Sequence, residues 1–162
     1  MANKRCSALT FEEYKMSIDL LCSGFVLDGV HVRPNIQVAS ICVLEACMGL
    51  PLGDVLALKM NSFTKSGSLS IVRQGTDSVK VYDVQSECFS MVKGYACKYG
   101  KGLDDYLFTI TARQVQRQLN KVFRYMGLSD SYSSNSFKKS YKSFEVYDIS
   151  LVNELLQFAY MR

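Results

Sequence analysis

The 162-residue sequence predicts an α+β domain, mainly α, in which helices flank a small three-stranded antiparallel sheet. Three observations lead there. Apolar residues recur with helical period near both ends of the chain. Two short β-rich runs are bunched together near the middle. Strands grouped in this way, rather than alternating with helices, favour α+β over a doubly wound sheet. The length suits one domain, residues 1–162, with no repeat and no internal linker.

The elements follow in order. Thr10 with Glu12 and Glu13 reads as an N-cap followed by first-turn acids, so a helix is expected from Phe11 to Cys22, broken by Gly24, Asp28 and Gly29. Pro34 is placed at the first turn of a second helix. Its residues Ile36, Ala39, Ile41, Cys42, Val43, Ala46 and Cys47 are apolar almost all round, the mark of a central helix. Gly49 ends it, and Pro51 opens a short third helix to Leu58. Ser68–Arg73 and Val79–Val84 form a hairpin across Gln74–Ser78, with Met60–Phe63 as the third, edge strand. A helix spans Gln85–Tyr99 and is closed by Gly100 and Gly102. Thr111 caps another that runs to Met126 and stops at Gly127. Ser129–Ser134 is a loop, Asn135–Phe144 is helical, and Ile149–Phe158 is a final helix.

Composition excludes several classes. With 48% hydrophobic and 21% charged residues the chain can bury a core, so disorder is not its main state. No apolar run approaches the roughly 18 residues of a membrane span, and Met1–Leu9 has no hydrophobic signal region. A soluble, cytoplasmic chain with no membrane partner is expected. Six cysteines without a C-x-x-C pair, and His31 as the only histidine, argue for reduced, mostly buried thiols and against a metal site or cofactor. Arg33, before the second helix, has no evident catalytic partner and is read as structural or exposed. Ser66-Gly67-Ser68 lacks the glycine spacing and lysine of a phosphate-cradling loop.

Charge is unevenly spread. Residues 111–142 hold seven cations, Arg113, Arg117, Lys121, Arg124, Lys138, Lys139 and Lys142, against the single acid Asp130. That segment nets +6, so the remainder carries −2 of the chain's +4. Val115, Leu119, Val122, Phe123 and Met126 fall on one face of the Thr111 helix, and Arg113, Arg117, Lys121 and Arg124 on the other. A basic patch on a neutral body suits a polyanion, and charge alone leaves a merely solvated face equally open.

Three motifs, in order, resemble the catalytic domain of tyrosine recombinases, the phage-integrase family. Met48-Gly49-Leu50-Pro51-Leu52-Gly53-Asp54-Val55-Leu56-Ala57-Leu58 is similar to T-G-L-R-x-x-E-L-x-x-L. Ser134-Asn135-Ser136-Phe137-Lys138-Lys139-Ser140-Tyr141 is similar to H-x-F-R-K/H-T/S-F/Y, and Val152-Asn153-Glu154-Leu155-Leu156-Gln157-Phe158 to I-Q-x-L-L-G-H. Leu9-Thr10-Phe11-Glu12-Glu13 also resembles the family's L-T-x-E-E opening.

The resemblance implies a chemistry, attack of a tyrosine on a DNA phosphodiester to give a 3′-phosphotyrosine and a 5′-hydroxyl. That reaction needs a nucleophile, guanidiniums for the crowded phosphate and an acid for the leaving oxygen. The matching positions are degenerate: Pro51 for the first arginine, Gly75 for the hairpin lysine, Asn135 for the first histidine, Lys138 for the second arginine and Phe158 for the last histidine. Lys138 keeps charge without the planar two-pronged grip of arginine. The family's tyrosine falls about nine residues past Phe158, beyond Arg162, and Tyr160 comes too early by that spacing. The expectation is therefore a catalytically inactive relative, lacking the N-terminal clamping domain and the C-terminal tyrosine segment. Its expected role is that of a DNA-binding regulator or accessory factor in recombination or integration, nucleoid-associated when bound. Double-stranded DNA is the expected partner, held by Arg113, Arg117, Lys121, Arg124, Lys138, Lys139 and Lys142. Two alternatives stand beside it. One is a modulator that binds itself or a full-length recombinase through the apolar last helix, and the other a recombinase fragment that still cleaves and rejoins DNA.

Overall fold

The computed structural model describes residues 6–161, apart from 64–67, 73–78, 85, 129, 142 and 145. The fold is mainly helical. Helix α1 spans Phe11–Ser23, α2 Ile36–Met48, α3 Leu52–Leu56, α4 Ser86–Lys98, α5 Ala112–Tyr125, α6 Asn135–Lys139 and α7 Val146–Tyr160. Strands β1 Phe25–Leu27 and β2 Val30–Val32 form one antiparallel hairpin, and β3 Ser68–Val72 and β4 Val79–Asp83 form another.

Helix α2 is the axis of the molecule. From Val38 to Met48 every residue is buried, Ser40 and Glu45 included. A helix that is apolar nearly all round can be satisfied only by neighbours on all sides, and α1, α4, α6 and α7 supply them. Ile41 and Leu44 are fully buried, each contributing about 1.5–3 kcal/mol through the area removed from water. The entry to α2 is tied to the end of α1, where Asn35 N–H donates to Leu21 C=O at 2.7 Å. The polypeptide leaves α2 through Gly49, whose φ of +66° is the left-handed cap conformation.

Five expectations need correction. The central sheet has two strands, not three, because residues 60–62 close a 3-10 turn and only Phe63 makes a bridge, to Leu69. Ser62 Oγ accepts from Lys59 N–H at 3.2 Å and holds that turn. Pro34 does not open α2. Asn35 is its N-cap, with Oδ1 accepting from Val38 N–H at 3.1 Å, and Pro34 precedes it. The helix at Asn135 ends at Lys139 instead of Phe144, for the Ser140 hydroxyl is engaged with Leu9, accepting from its N–H at 2.9 Å. Residues 25–32, read as a break, form a hairpin. Asp28 and Gly29 have φ of +50° and +78°, the pair of positive values that a two-residue type I′ turn requires. The six cysteines are free, but only Cys42, Cys47 and Cys88 are buried, Cys6 and Cys22 are half-buried and Cys97 is exposed. No helix among the described residues is long and apolar enough to cross a membrane.

A side chain at Gly49 would meet both a strained backbone and the Tyr141 ring, whose Cδ1 lies 2.8 Å from the position of a Cβ. Gly49→Ala is expected to lower the unfolding free energy by about 1–3 kcal/mol, read from urea denaturation.

Candidate nucleic-acid interface

Helix α5 is built by a capping box. Thr111 Oγ1 accepts from Gln114 N–H at 3.1 Å, and Gln114 Oε1 accepts from Thr111 N–H at 3.0 Å. Val115, Leu119, Val122 and Phe123 are buried against the body of the fold. The opposite face exposes Arg113, Arg117, Lys121 and Arg124, at spacings of four, four and three. Those cations extend over roughly 16 Å of helix at 1.5 Å per residue. No acidic residue lies on α5.

Two neighbours frame this row. On one flank Phe25 of the β1–β2 hairpin packs on Tyr125, with ring centroids 5.0 Å apart. From the same hairpin Asp28 accepts from Arg124 Nη2 at 2.7 Å. Both partners of that ion pair are about two-thirds exposed, so it contributes at most about 1 kcal/mol. On the other flank the start of α6 is bound to α5, with Gln116 Oε1 accepting from Ser134 N–H at 3.1 Å and Phe137 stacked on Phe123 at 6.1 Å. Asn135, Lys138 and Lys139 are exposed beside the α5 row. Lys142, also expected in this set, lies outside the described residues.

Helix α6 is too short to be stable alone and is laced down by the chain's own N-terminal segment. Cys6 Sγ lies 3.1 Å from Ser133 Oγ and 3.0 Å from Ser136 Oγ. Ser7 N–H donates to Ser131 C=O at 2.8 Å, and Lys139 Nζ donates to Cys6 C=O at 2.7 Å. None of these contacts is visible as a motif. They join residues more than 120 positions apart.

The five positions that the motif resemblance matches to a catalytic set are only partly gathered. Pro51 caps α3 at the C-terminal end of α2, and Tyr141, just after α6, covers Gly49 two residues before it. Lys138 on α6 acts electrostatically on Glu45 of α2, and Tyr141 packs on Gly49, which sets the C-terminal end of α6 against that region. Phe158 lies elsewhere. Helix α7 runs antiparallel to α2: Asn153 Oδ1 accepts from Cys47 Sγ at 3.9 Å, whereas Tyr160 OH lies 2.5 Å from Ser40 Oγ. Phe158, 57% exposed, therefore sits toward the N-terminal end of α2, beside Asp19, Cys22 and Ser23 of α1. Ser40 and Cys47 alone are separated by roughly 10 Å along the helix axis. Gly75 lies outside the described residues. Tyr160 is buried, and burial raises its pKa well above the ordinary tyrosine value.

Glu45 was not among the expected site residues, although a lone acid inside an apolar helix was there to be seen. It is fully buried, and neither carboxylate oxygen has a hydrogen-bond partner among the described residues. Burial first, and then Cys6, push its pKa well above the ordinary carboxylate range, while Lys138 pulls it partly back. The folded state therefore retains a proton that the unfolded chain releases as pH rises through the normal glutamate range. Stability falls from that pH upward to the raised folded value. Glu45→Gln removes this loss, so the variant is expected to gain melting temperature relative to the parent at pH 8 but not at pH 4.

No family model and no curated protein matches the sequence. Solved structures do. A XerA recombinase superposes with a TM-score of 0.63 at 13% identity, over 91% of this chain and 56% of the other. A lambda integrase (75–356) dimer bound to a COC′ core site gives a TM-score of 0.63 at 14% identity, over 98% of this chain and 58% of the other. The chain therefore has the fold of these recombinases and spans just over half the length of each.

Proposed function

We propose that this chain is an integrase-like DNA-binding protein, catalytically inactive and regulatory or accessory in recombination or integration. One observation carries the reading: Arg113, Arg117, Lys121 and Arg124 form a continuous exposed row on α5, and of these only Arg124 has an ion-pair partner among the described residues. Lys138 and Lys139 extend the charge onto the adjoining α6. Such a row contacts phosphates without reading bases, which predicts low sequence preference. The likeness to a lambda integrase seated on a core site favours duplex DNA over other polyanions.

The inactive part of the reading rests on the residues themselves. Pro51 offers no charge and no N–H donor, Asn135 cannot act as the general acid, and Phe158 lies away from both. Loss of one oxyanion-type donor costs about 10²–10³ in rate, and here several groups are replaced together. Pro51 and Gly75 could not be made good by a tyrosine from another subunit.

A labelled mixed-sequence duplex titrated with salt tests the binding half. If about six phosphates are neutralised, the log–log slope of affinity against salt is near −5, and a complex retained near 50 mM salt weakens steeply by about 200 mM. Arg117→Gln combined with Lys121→Gln is expected to flatten that slope by about two, since each cation accounts for close to one unit. A denaturing gel of the same samples is expected to show no protein–DNA species. A band that survives denaturation overturns the inactive assignment.

A further inference from the structure

Glu45 Oε1 and Oε2 are both buried and have no hydrogen-bond partner among the described residues. A carboxylate is costly there, because neither water nor a donor replaces its hydration. The side chains that act on this carboxyl are Cys6 of the N-terminal segment and Lys138 of α6. Cys42, three residues earlier on α2, also feels its charge. The other helices packed on α2 commit their ionisable groups elsewhere. On α1, Tyr14 engages Cys47 and Glu13 caps Thr10 N–H. Cys88 of α4 is likewise against Cys47, Asp54 lies in the first turn of α3, and Glu154 of α7 is exposed.

The segment that carries Cys6 is a strap fastened by polar contacts. Ser7 N–H donates to Ser131 C=O at 2.8 Å, and Leu9 N–H donates to Ser140 Oγ at 2.9 Å. Cys6 Sγ lies 3.1 Å from Ser133 Oγ and 3.0 Å from Ser136 Oγ, and Lys139 Nζ donates to Cys6 C=O at 2.7 Å. Water reproduces each of these contacts, and Leu9 is the one apolar side chain of residues 6–9 that is buried in the core. Helix α6 is different, for Phe137 is fully buried and anchors it. The strap is thus the part of this cover that can open while the body of the fold stays intact.

We infer that residues 6–9 form a pH-gated latch, closed while Glu45 keeps its proton and opened when Glu45 gives that proton to solvent. Opening admits water to the carboxylate, leaves Lys138 close enough to favour its charge, and uncovers the Cys6 thiol. The sign follows from the closed site, where burial first and then Cys6 raise the Glu45 pKa well above that of a free glutamate. Between those two values each pH unit raises the opening equilibrium about tenfold, and below them opening is independent of pH. No step involves a nucleic acid, so the latch and the DNA-binding reading are tested apart.

The test is amide hydrogen exchange of the ¹⁵N-labelled full chain at pH 5 and pH 7, corrected for the intrinsic effect of pH. Exchange of Ser7 and Leu9 is expected to rise at least about tenfold between the two. Val115 N–H, bonded to Thr111 C=O in α5, is expected to stay at least about tenfold better protected than either at both pH values. The rise is expected to vanish in Glu45→Gln. Ser140→Ala removes the acceptor of Leu9 N–H and is expected to speed Ser7 exchange several-fold at both pH values, with the pH response kept. No rise in the parent, a rise that persists in Glu45→Gln, or Ser7 and Leu9 protected as well as Val115 overturns the proposal. Unchanged Ser7 exchange in Ser140→Ala overturns it as well, whether or not Glu45→Gln folds.

Discussion

The enclosure of α2 is the constraint on which the rest of the structure depends. A helix that presents apolar side chains in every direction cannot rest against a single partner, and it gains its stability only when covered all round. That requirement brings the two ends of the chain together. Helices α1, α6 and α7 come from opposite ends of the sequence, yet they share one apolar surface. The aromatic series Phe11, Tyr14, Phe144, Phe137 and Phe123 joins α1, α6 and α5 into that shell. Short elements such as α3 and α6, which would not persist as isolated helices, are fixed because the core needs their apolar faces.

Enclosure also decides where charge can go. With α2 saturated, α5 is left as an outer helix that contributes one face and shows the other to solvent. Its cations are therefore displayed as a row and not dispersed, and α6 extends that row because Gln116 and Phe123 hold it alongside. The same geometry separates two regions of potential interest along one axis. The C-terminal end of α2 meets α3 and α6, which lie beside or carry the motif residues Pro51, Asn135 and Lys138. The N-terminal end, capped by Asn35, meets the tyrosines of α4 and α7. Among the described residues Glu45 is the one carboxylic acid buried inside the sheath, and that burial pushes its pKa well above the ordinary carboxylate range.

Much of this was legible beforehand. The Thr111 cap and the four-four-three spacing placed the α5 row correctly, because capping and helical period are local properties. The order of elements and the motifs around Gly49, Phe137 and Leu156 pointed to a recombinase catalytic-domain fold, and the structural neighbours share that fold. The hairpin at 25–32 was missed for a physical reason. Its strands are three residues long, too short to show a two-residue period, so the Asp28-Gly29 pair was read as a break when it was a turn. Residues 60–63 failed as a strand because a local 3-10 turn satisfied their backbone first.

The sequence by itself determined which helices form, where most begin and stop, and which of their faces is apolar or cationic. Those properties follow from caps, glycines and periodicity within a few residues. Only the tertiary structure decided that α6 ends at Lys139, that Phe158 is remote from Pro51 and that Glu45 is sealed without a hydrogen-bond partner among the described residues. Each of these depends on contacts between residues distant along the chain, such as Leu9 with Ser140, separated by 131 positions. Helix α6 ends where the N-terminal segment reaches it, and the direction of α7 across α2 sets which end of that helix Phe158 meets.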